Sequence, residues 1–148
     1  MFVRSCSAVL SALLLAVSTV LFALGAAQAA TEECPAKSTD MDDIIATLKA
    51  APSCNRAMTI FQACEYGASG DVQFGAVVEK TCEADFLSGL GASRKKAYAA
   101  GLARCDAKYA DESGTMYRSF TAFCRAEVSQ RYSRDALKAG SKAMPKAR

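Results

Sequence analysis

The chain has 148 residues, 51% of them hydrophobic, with 18 basic and 15 acidic side chains and neither histidine nor tryptophan. The absence of histidine removes the commonest catalytic base and metal ligand, so the composition argues against most acid–base enzymes and zinc sites. The net charge of +3 is too small to indicate a nucleic-acid partner.

Residues 1–30 have the pattern of a secretory signal peptide. Arg4 precedes a long apolar run, and Ala27-Gln28-Ala29 matches the Ala-x-Ala pattern of a cleavage site. We therefore predict cleavage after Ala29 or Ala30, and a periplasmic or secreted mature protein with no stable membrane association. The alternative is an uncleaved membrane anchor, because about 20 apolar residues are enough to span a bilayer.

Five amphipathic helices are predicted after the leader. Apolar residues recur at helical spacing, and no segment alternates with period two for long enough to form a strand. Capping or helix-breaking residues separate the helices at residues 38–43, Pro52 and Ser53, Gly67, residues 88–93 and Thr115. The sequence therefore predicts one all-α domain, a small disulfide-stapled bundle of about five helices, over residues 31–137.

The C-terminal segment, residues 138–148, is predicted to be a basic flexible tail. It contains four basic and no acidic side chains, and it includes the helix breakers Gly140 and Pro145. Residues 31–137 carry 13 basic and 15 acidic side chains, so the domain itself is nearly neutral. We interpret the segment as a solvated end rather than a docking peptide.

Six cysteines remain once the leader and its Cys6 are removed. An even number in an oxidising compartment predicts three disulfides and leaves no spare thiol for catalysis. The shortest interval between two of these cysteines is ten residues, which does not match the close pairs of a zinc site. We therefore predict no metal and no cofactor, and disulfide roles for Cys34, Cys54, Cys64, Cys82, Cys105 and Cys124.

The pair Cys105 and Cys124 is predicted from its position around a turn. Its midpoint falls within residues 112–115, so an antiparallel helical hairpin would place the two cysteines level, as a disulfide requires. For the other four cysteines the sequence favours Cys34–Cys54 and Cys64–Cys82. The alternative joins Cys82 to Cys105, and the sequence alone leaves this connectivity open.

A pattern of spaced residues runs along the C-terminal half of the domain. It consists of Cys105, the turn Gly114-Thr115, Cys124, Arg131 and Leu137. This pattern resembles that of the LprI-type lysozyme inhibitors, a group of small secreted bacterial proteins. Upstream, residues 54–57 (Cys-Asn-Arg-Ala) are similar to the opening of that family, whereas Tyr98 stands where the family has a tryptophan. The resemblance implies a helical domain outside the cytoplasm and, in some members, inhibition of lysozyme.

Tyr117 and Arg118 are the candidate partner-contact residues. They follow the turn between Cys105 and Cys124 and combine an aromatic ring with a guanidinium group, a composition enriched at binding hot spots. We expect residues 111–118 to form the contact region. The alternative is that Tyr117 flanks the core and Arg118 is merely solvated.

Glu79, Glu83 and Asp85 on the third helix are the candidates for a catalytic carboxylate pair of the glycosidase type. Glu79 and Glu83 are four residues apart on one helix face, which is typical of solvated acids. A catalytic acid also needs a desolvated pocket, and the sequence indicates none. We therefore predict no catalytic residues and no enzymatic activity.

The function favoured by the sequence is non-enzymatic binding, and the resemblance implies a protein partner such as lysozyme. An envelope structural or stress-related module is the first alternative, and a small carboxylate-dependent hydrolase the second. The one acidic cluster, at Asp40, Asp42 and Asp43, is explained by its place at a helix N-terminus, where acids stabilise the helix dipole. Charge complementarity to a basic lysozyme is therefore weak.

Overall fold

In a computed structural model, which describes residues 32–143, the chain is all-helical. The prediction of a small disulfide-stapled helical bundle is confirmed. The predicted signal peptide and residues 144–148 of the predicted tail lie outside the described part of the chain. The helices are α1 (Met41–Lys49), α2 (Cys54–Cys64), α3 (Asp71–Glu83), a 3-10 turn (Leu87–Gly89), α4 (Ala92–Lys108) and α5 (Thr115–Ala143).

Helix α2 begins at a capping residue seen in the sequence. The hydroxyl of Ser53 accepts the backbone N–H of Arg56 at 3.2 Å and so caps α2. Helix α5 continues through Gly140 to Ala143, so the first six residues of the segment predicted as a tail are helical. A glycine inside a helix costs only about 1 kcal/mol, which is not enough to end it. In residues 32–143 no helix is both long and apolar enough to cross a bilayer.

Helices α3 and α5 form the centre of the bundle and run in the same direction. Asp71 contacts Ser119 near the start of both helices, and Glu79 contacts Arg125 two turns further along. Helix α4 returns antiparallel to both. The ring of Phe61 from α2 stacks on Phe123 with centroids 4.0 Å apart. The core is completed by the buried side chains of Ile44, Leu48, Met58, Phe74, Val78, Phe86 and Tyr98.

The turn between α2 and α3 is closed by a buried carboxylate. Asp71 is fully buried and accepts backbone N–H groups from Tyr66 at 2.8 Å and Ala68 at 3.3 Å. Its Oδ2 also accepts the hydroxyl of Ser119 at 2.6 Å. Gly67 has φ of +66°, a backbone conformation that glycine adopts without strain. One side chain therefore fixes both the turn and the start of α5.

Residues 32–143 contain three disulfides, of which two join helices and one joins the N-terminal arm to α2. Only one of the three pairs as predicted. Cys105–Cys124 is confirmed, with Cα atoms 5.6 Å apart. The predicted pairs Cys34–Cys54 and Cys64–Cys82 and the alternative Cys82–Cys105 are wrong, because the structure joins Cys34 to Cys64 and Cys54 to Cys82.

The reason lies in the antiparallel packing of α2 against α3. Cys54 and Cys64 are the first and last residues of α2, so about 15 Å of helix separates them. Cys82 lies in the last turn of α3, next to the beginning of α2 rather than its end. Cys64, at the other end of α2, instead bonds to Cys34, which lies on the N-terminal arm.

Candidate functional site

The hairpin of α4 and α5 ends in a tight turn next to a disulfide. Gly114 has φ of +122°, a left-handed conformation in which a side chain would be strained, and α5 begins at the next residue. Cys105 is buried one turn before the end of α4, and its bond to Cys124 holds the two helices together. The disulfide therefore restrains the two helix ends that the turn connects.

Three aromatic rings gather beside this turn, and we call Tyr109, Tyr117, Phe120 and the neighbouring Met116 the tip cluster. The three ring centroids lie 5.8 to 6.0 Å from one another. Met116 is 47% exposed and Phe120 is 42% exposed. An exposed apolar patch of this kind, rimmed by polar residues, is typical of an interaction site.

A cavity of about 600 Å³ opens at the turn. Its walls come from the end of α4, the loop and the first two turns of α5, including Tyr109, Tyr117 and Arg118. The guanidinium-bearing side chain of Arg118 is exposed. The structure thus places both residues predicted as partner contacts, Tyr117 and Arg118, on the wall of one cavity within the predicted region, residues 111–118.

The charges around the tip are mixed. The Lys108 ammonium lies 4.9 Å from the centroid of the Tyr109 ring, a cation–π distance. Asp111 and Glu112 are exposed on the loop. The tip therefore offers an aromatic surface with charges of both signs, rather than a single-sign field.

A second depression, which we call the α3–α5 groove, has a volume of about 640 Å³. Gly75, Ala76 and Ala122 contribute small side chains to it, and Asp106 of α4 lies at its border. Arg118 and Thr121 line both this groove and the tip cavity. The two depressions therefore adjoin each other across the first turns of α5.

Arg125 joins three helices at the border of the groove. Its Nε and Nη2 donate to the two oxygens of Glu79 at 3.0 and 2.9 Å. Its Nη1 donates to both oxygens of Asp106 at 3.1 and 2.8 Å. The fork of the guanidinium group suits such paired contacts, which tie α3 and α4 to α5.

The three carboxylates considered for catalysis have separate partners. Glu79 and Glu83 line the α3–α5 groove, although the sequence indicated no pocket near them. Both oxygens of Glu79 contact Arg125, while Glu83 accepts the hydroxyl of Tyr98 at 2.9 Å. Asp85 accepts the hydroxyl of Ser133. A catalytic acid has to hold a proton, whereas the Glu79 carboxylate is bound by a guanidinium group.

The acidic cluster at the start of α1 has a local role. Asp42 and Asp43 lie in its first turn, and Asp43 accepts the hydroxyl of Ser38 at 2.7 Å. These contacts order the segment that leads into the helix. They give the cluster a function without a binding partner.

The last two positions of the LprI-type pattern lie on the outer surface of α5. Arg131 is exposed, and Leu137 is 55% exposed. No protein-family model, curated protein or solved structure matches this chain. The resemblance to LprI-type inhibitors therefore stays a prediction.

Sequence reasoning missed Phe120 and Tyr109, although a signal for them exists. Both are four residues from a cysteine of the hairpin, Tyr109 after Cys105 and Phe120 before Cys124. The sequence midpoint between Tyr109 and Phe120 is therefore the same as that between Cys105 and Cys124. In an antiparallel hairpin, two residues with the same midpoint lie opposite each other. Their centroids are 5.8 Å apart.

Proposed function

We propose that the mature protein is a non-enzymatic binding protein of the periplasm or the extracellular space, which contacts a protein partner through the tip cluster and Arg118. The observation that carries this proposal is the exposed aromatic cluster beside a cavity at the end of a disulfide-linked hairpin. Aromatic residues and arginine dominate the energetics of protein interfaces.

The covalent support of the tip favours binding. Cys105–Cys124 and the packing of the three aromatic rings restrict the loop before any partner arrives. A preorganised loop loses less conformational entropy on association than a mobile one. A patch that combines apolar rings with an adjacent concavity also accepts a side chain from a partner.

The proposed location rests on two independent observations. Three disulfides suit an oxidising compartment, and residues 1–30 have the pattern of a secretory leader. Intact-mass measurement of the protein from its native envelope or medium tests this. A mass that begins at Ala30 or Thr31 supports export, and retention of Met1 argues for an anchored protein.

Lysozyme is the specific partner that we propose, on the strength of the LprI-type pattern. The test is a titration of lysozyme activity with the oxidised mature protein, together with a direct binding measurement. Wild-type protein should inhibit at a fixed stoichiometry. The variants Tyr117→Ala and Phe120→Ala should each weaken binding by about ten-fold or more, as truncation of an aromatic hot spot does.

Val72→Ala is the matched control, since it removes an exposed apolar side chain that lies outside both the tip cluster and the LprI-type pattern. Its affinity should equal that of the wild type. Inhibition that persists unchanged in both tip variants would refute the proposed surface. Absence of binding to any lysozyme would refute the proposed partner, and a pull-down from envelope extract with wild type and Phe120→Ala would then test the surface separately.

A further inference from the structure

The end of the bundle opposite the tip cluster carries exposed cations, and we call this region the basic pole. It forms where the first turns of α4 lie beside the second half of α5, next to the end of α3. Its basic members are all exposed, namely Arg94, Lys95, Lys96, Arg131, Arg134 and Lys138. None of them forms an ion pair with another side chain of residues 32–141. Their charges are therefore not neutralised within this part of the chain.

The contacts of Tyr98 place the cations of α4 and α5 at the same level. Its hydroxyl lies 2.8 Å from that of Ser129, and the centroid of its ring lies 5.0 Å from that of Tyr132. Because α4 and α5 are antiparallel, the turn before Tyr98 lies level with the turn after Tyr132. The cations at the start of α4 therefore lie level with Arg134, although they are far from it in the sequence.

Helix stability does not explain the cations at the start of α4. Arg94, Lys95 and Lys96 lie in its first two turns, and the first turn contains no acidic residue. The positive end of the helix dipole lies there, so basic residues lower the stability of the helix. At the start of α1, by contrast, acidic residues and the dipole stabilise each other. The basic residues of α4 therefore indicate a role at the surface.

The charges of the described chain are unevenly distributed. Residues 83–96 and 131–141, which form the basic pole, contain six basic and three acidic side chains, a net charge of +3. Residues 32–82 and 97–130 contain eight basic and twelve acidic side chains, a net charge of −4. The domain is therefore nearly neutral as a whole but positive at one end.

Two of the three acidic side chains at the pole accept hydrogen bonds from within the bundle. Glu83 accepts the hydroxyl of Tyr98 at 2.9 Å, and Asp85 accepts the hydroxyl of Ser133. Three more basic residues, and no acidic one, follow in the sequence at positions 142–148. The cations of this end therefore outnumber the acidic side chains that could neutralise them.

The acidic side chains beside the tip cluster are too distant to cancel the field of the basic pole. Asp111 and Glu112 are exposed in the turn before α5, and 23 residues of α5, about 35 Å, separate Thr115 from Lys138. The Debye length at physiological ionic strength is about 8 Å. An anionic surface that approaches the pole therefore interacts with the local cations and not with the small net charge of the whole chain.

The form of the pole favours a membrane surface over a protein partner. No aromatic residue of segments 83–96 and 131–141 is exposed, and neither of the cavities described above is lined by a cation of the pole. The pole therefore lacks the aromatic anchors and pockets of a protein hot spot. A surface of anionic lipids requires only closely spaced Lys and Arg side chains. Leu137, which is 55% exposed among these cations, suits insertion between lipid headgroups.

We propose that the basic pole binds reversibly to membrane surfaces rich in anionic phospholipid, and that this contact directs the tip cluster away from the membrane. A plane of anionic headgroups contacts the cations of both helices at once, which a single small anion does not. The contact is peripheral and reversible, so it differs from the stable membrane association that the sequence argues against. The proposal does not depend on the partner proposed for the tip cluster.

Flotation of the oxidised mature protein with lipid vesicles tests the proposal. We expect binding to vesicles of phosphatidylglycerol and phosphatidylcholine in equal amounts, and no binding to vesicles of phosphatidylcholine alone. Binding should weaken steeply as sodium chloride is added, because salt screens exposed charges. Absence of binding to the anionic vesicles, or equal binding to both kinds of vesicle, would overturn the proposal.

Two triple variants locate the surface. One neutralises the cations of α4, namely Arg94→Gln, Lys95→Gln and Lys96→Gln. The other neutralises the cations of α5, namely Arg131→Gln, Arg134→Gln and Lys138→Gln. Each variant should weaken vesicle binding by about 100-fold, because one Lys or Arg near an anionic surface contributes about five-fold. Glutamine has a helix propensity close to that of lysine and arginine, so both variants should keep the circular dichroism spectrum of the wild type.

A third triple variant is the matched control. It removes three exposed cations outside the pole, namely Lys37→Gln, Arg104→Gln and Lys108→Gln. It has the same net charge as the two pole variants, and its affinity for anionic vesicles should be close to that of the wild type. If the control weakened binding as much as the pole variants did, only the net charge would matter and the assigned surface would be wrong.

Phe120→Ala tests the orientation, because it removes an exposed ring from the tip cluster. It should leave vesicle binding unchanged. Loss of binding in Phe120→Ala, with the pole variants unaffected, would show that the tip rather than the pole contacts the membrane. Retention of the wild type on immobilised polyglutamate, without binding to anionic vesicles, would show that the pole binds an acidic polypeptide and that the membrane proposal is wrong.

Discussion

Cys54, the first residue of α2, is bonded to Cys82 in the last turn of α3, and their Cα atoms lie 4.5 Å apart. This bond closes a loop of 28 residues around the turn that Asp71 holds. Because the bond joins the far ends of an antiparallel helix pair, it restrains both helices in the unfolded chain. The stability of the bundle should therefore depend strongly on it.

We predict that the double variant Cys54→Ala/Cys82→Ala lowers the free energy of unfolding by about 3 to 4 kcal/mol, the effect of closing a loop of this length. Denaturant unfolding followed by circular dichroism measures this. Cys105→Ala/Cys124→Ala is the comparison, because its loop of 19 residues predicts a slightly smaller loss. Peptide mapping without reduction that found Cys64 bonded to Cys82 would contradict the connectivity itself.

The contact between Gly75 and Ala122 leads to a second prediction. Gly75→Ala introduces a Cβ within 2.9 Å of the Ala122 Cβ and 3.1 Å of its backbone oxygen, so the helices have to move apart. Such overpacking costs about 1 to 3 kcal/mol, and the better helix propensity of alanine recovers about 1 kcal/mol of it. We expect a net loss of stability in thermal unfolding.

Gly140→Ala is the matched control for this substitution. Gly140 is also helical, but a Cβ there would meet no atom within 4 Å. The substitution should leave the melting temperature unchanged or raise it slightly. Equal effects of the two substitutions would contradict the close approach of α3 and α5.

Arg125 should contribute more to stability than an ordinary surface ion pair. Arg125→Ala leaves Glu79, whose side chain is only 16% exposed, without its partner and releases Asp106. We expect a loss of about 1 to 2 kcal/mol, since hydrogen bonds to charged groups are strong but this cluster is partly solvated. Arg125→Lys should recover only part of it, because an ammonium lacks the fork that binds two carboxylates.

The exposed pair of Arg56 and Glu32 provides the control. Both side chains are more than a third exposed, so Arg56→Ala should cost less than about 1 kcal/mol. A double-mutant cycle of Glu79→Gln with Arg125→Ala isolates the coupling within the cluster. A coupling energy close to zero would show that the three-helix contact contributes nothing specific.

Tyr98 should make the protein sensitive to alkaline pH. Burial raises the pKa of its hydroxyl well above the ordinary value, and the Glu83 carboxylate raises it further, against the opposing hydrogen bond with Ser129. In the unfolded chain Tyr98 ionises near pH 10, whereas the folded protein keeps the proton. Its contribution to stability is therefore complete below about pH 10 and is lost as the pH rises above it.

Urea unfolding of wild type and Tyr98→Phe between pH 8 and pH 11 measures this effect. The variant should be less stable at pH 8 by about 1 kcal/mol, because it lacks the hydrogen bonds of the Tyr98 hydroxyl with Glu83 and Ser129. The difference should shrink as the pH rises above 10. Parallel curves over the whole range would exclude a raised pKa at Tyr98.

The register of the α4–α5 hairpin could be predicted from the sequence, because one midpoint explains several contacts. Cys105 with Cys124, Tyr109 with Phe120 and Gly101 with Val128 are all centred on the same position in the turn. The helical periodicity and Gly114 were enough to locate that position. The Cys105–Cys124 disulfide was predicted correctly for this reason. The contact between Tyr109 and Phe120 could have been predicted from the same midpoint.

The same rule would have given Cys54–Cys82, whose midpoint is residue 68 in the turn before α3. The predicted Cys64–Cys82 is centred on residue 73, inside α3 itself, and so does not match a hairpin. Cys34 is different, since it lies on an arm without helical periodicity. Its partner depends on where that arm runs, which no local pattern indicates.

The α3–α5 groove could not be predicted, because it depends on packing between helices that are not adjacent in sequence. Asp71 pairs with Ser119 and Glu79 with Arg125, so the offset between the two helices is 46 to 48 residues. That offset is set by how α4 folds back between them. The sequence shows the charges of Glu79 and Glu83, but it does not show that they border a cavity.

The disulfides also determine how the molecule responds to proteolysis. The loops closed by Cys34–Cys64 and Cys54–Cys82 overlap along the chain, so hydrolysis of any one peptide bond between residues 34 and 82 leaves the two pieces covalently joined. The same holds between residues 105 and 124. Between residues 34 and 124, only the segment 82–105 is spanned by no disulfide. To separate the α2–α3 hairpin from the α4–α5 hairpin, a protease in the same compartment has to cleave within residues 82–105. Arg94, Lys95 and Lys96 are exposed positions in this segment.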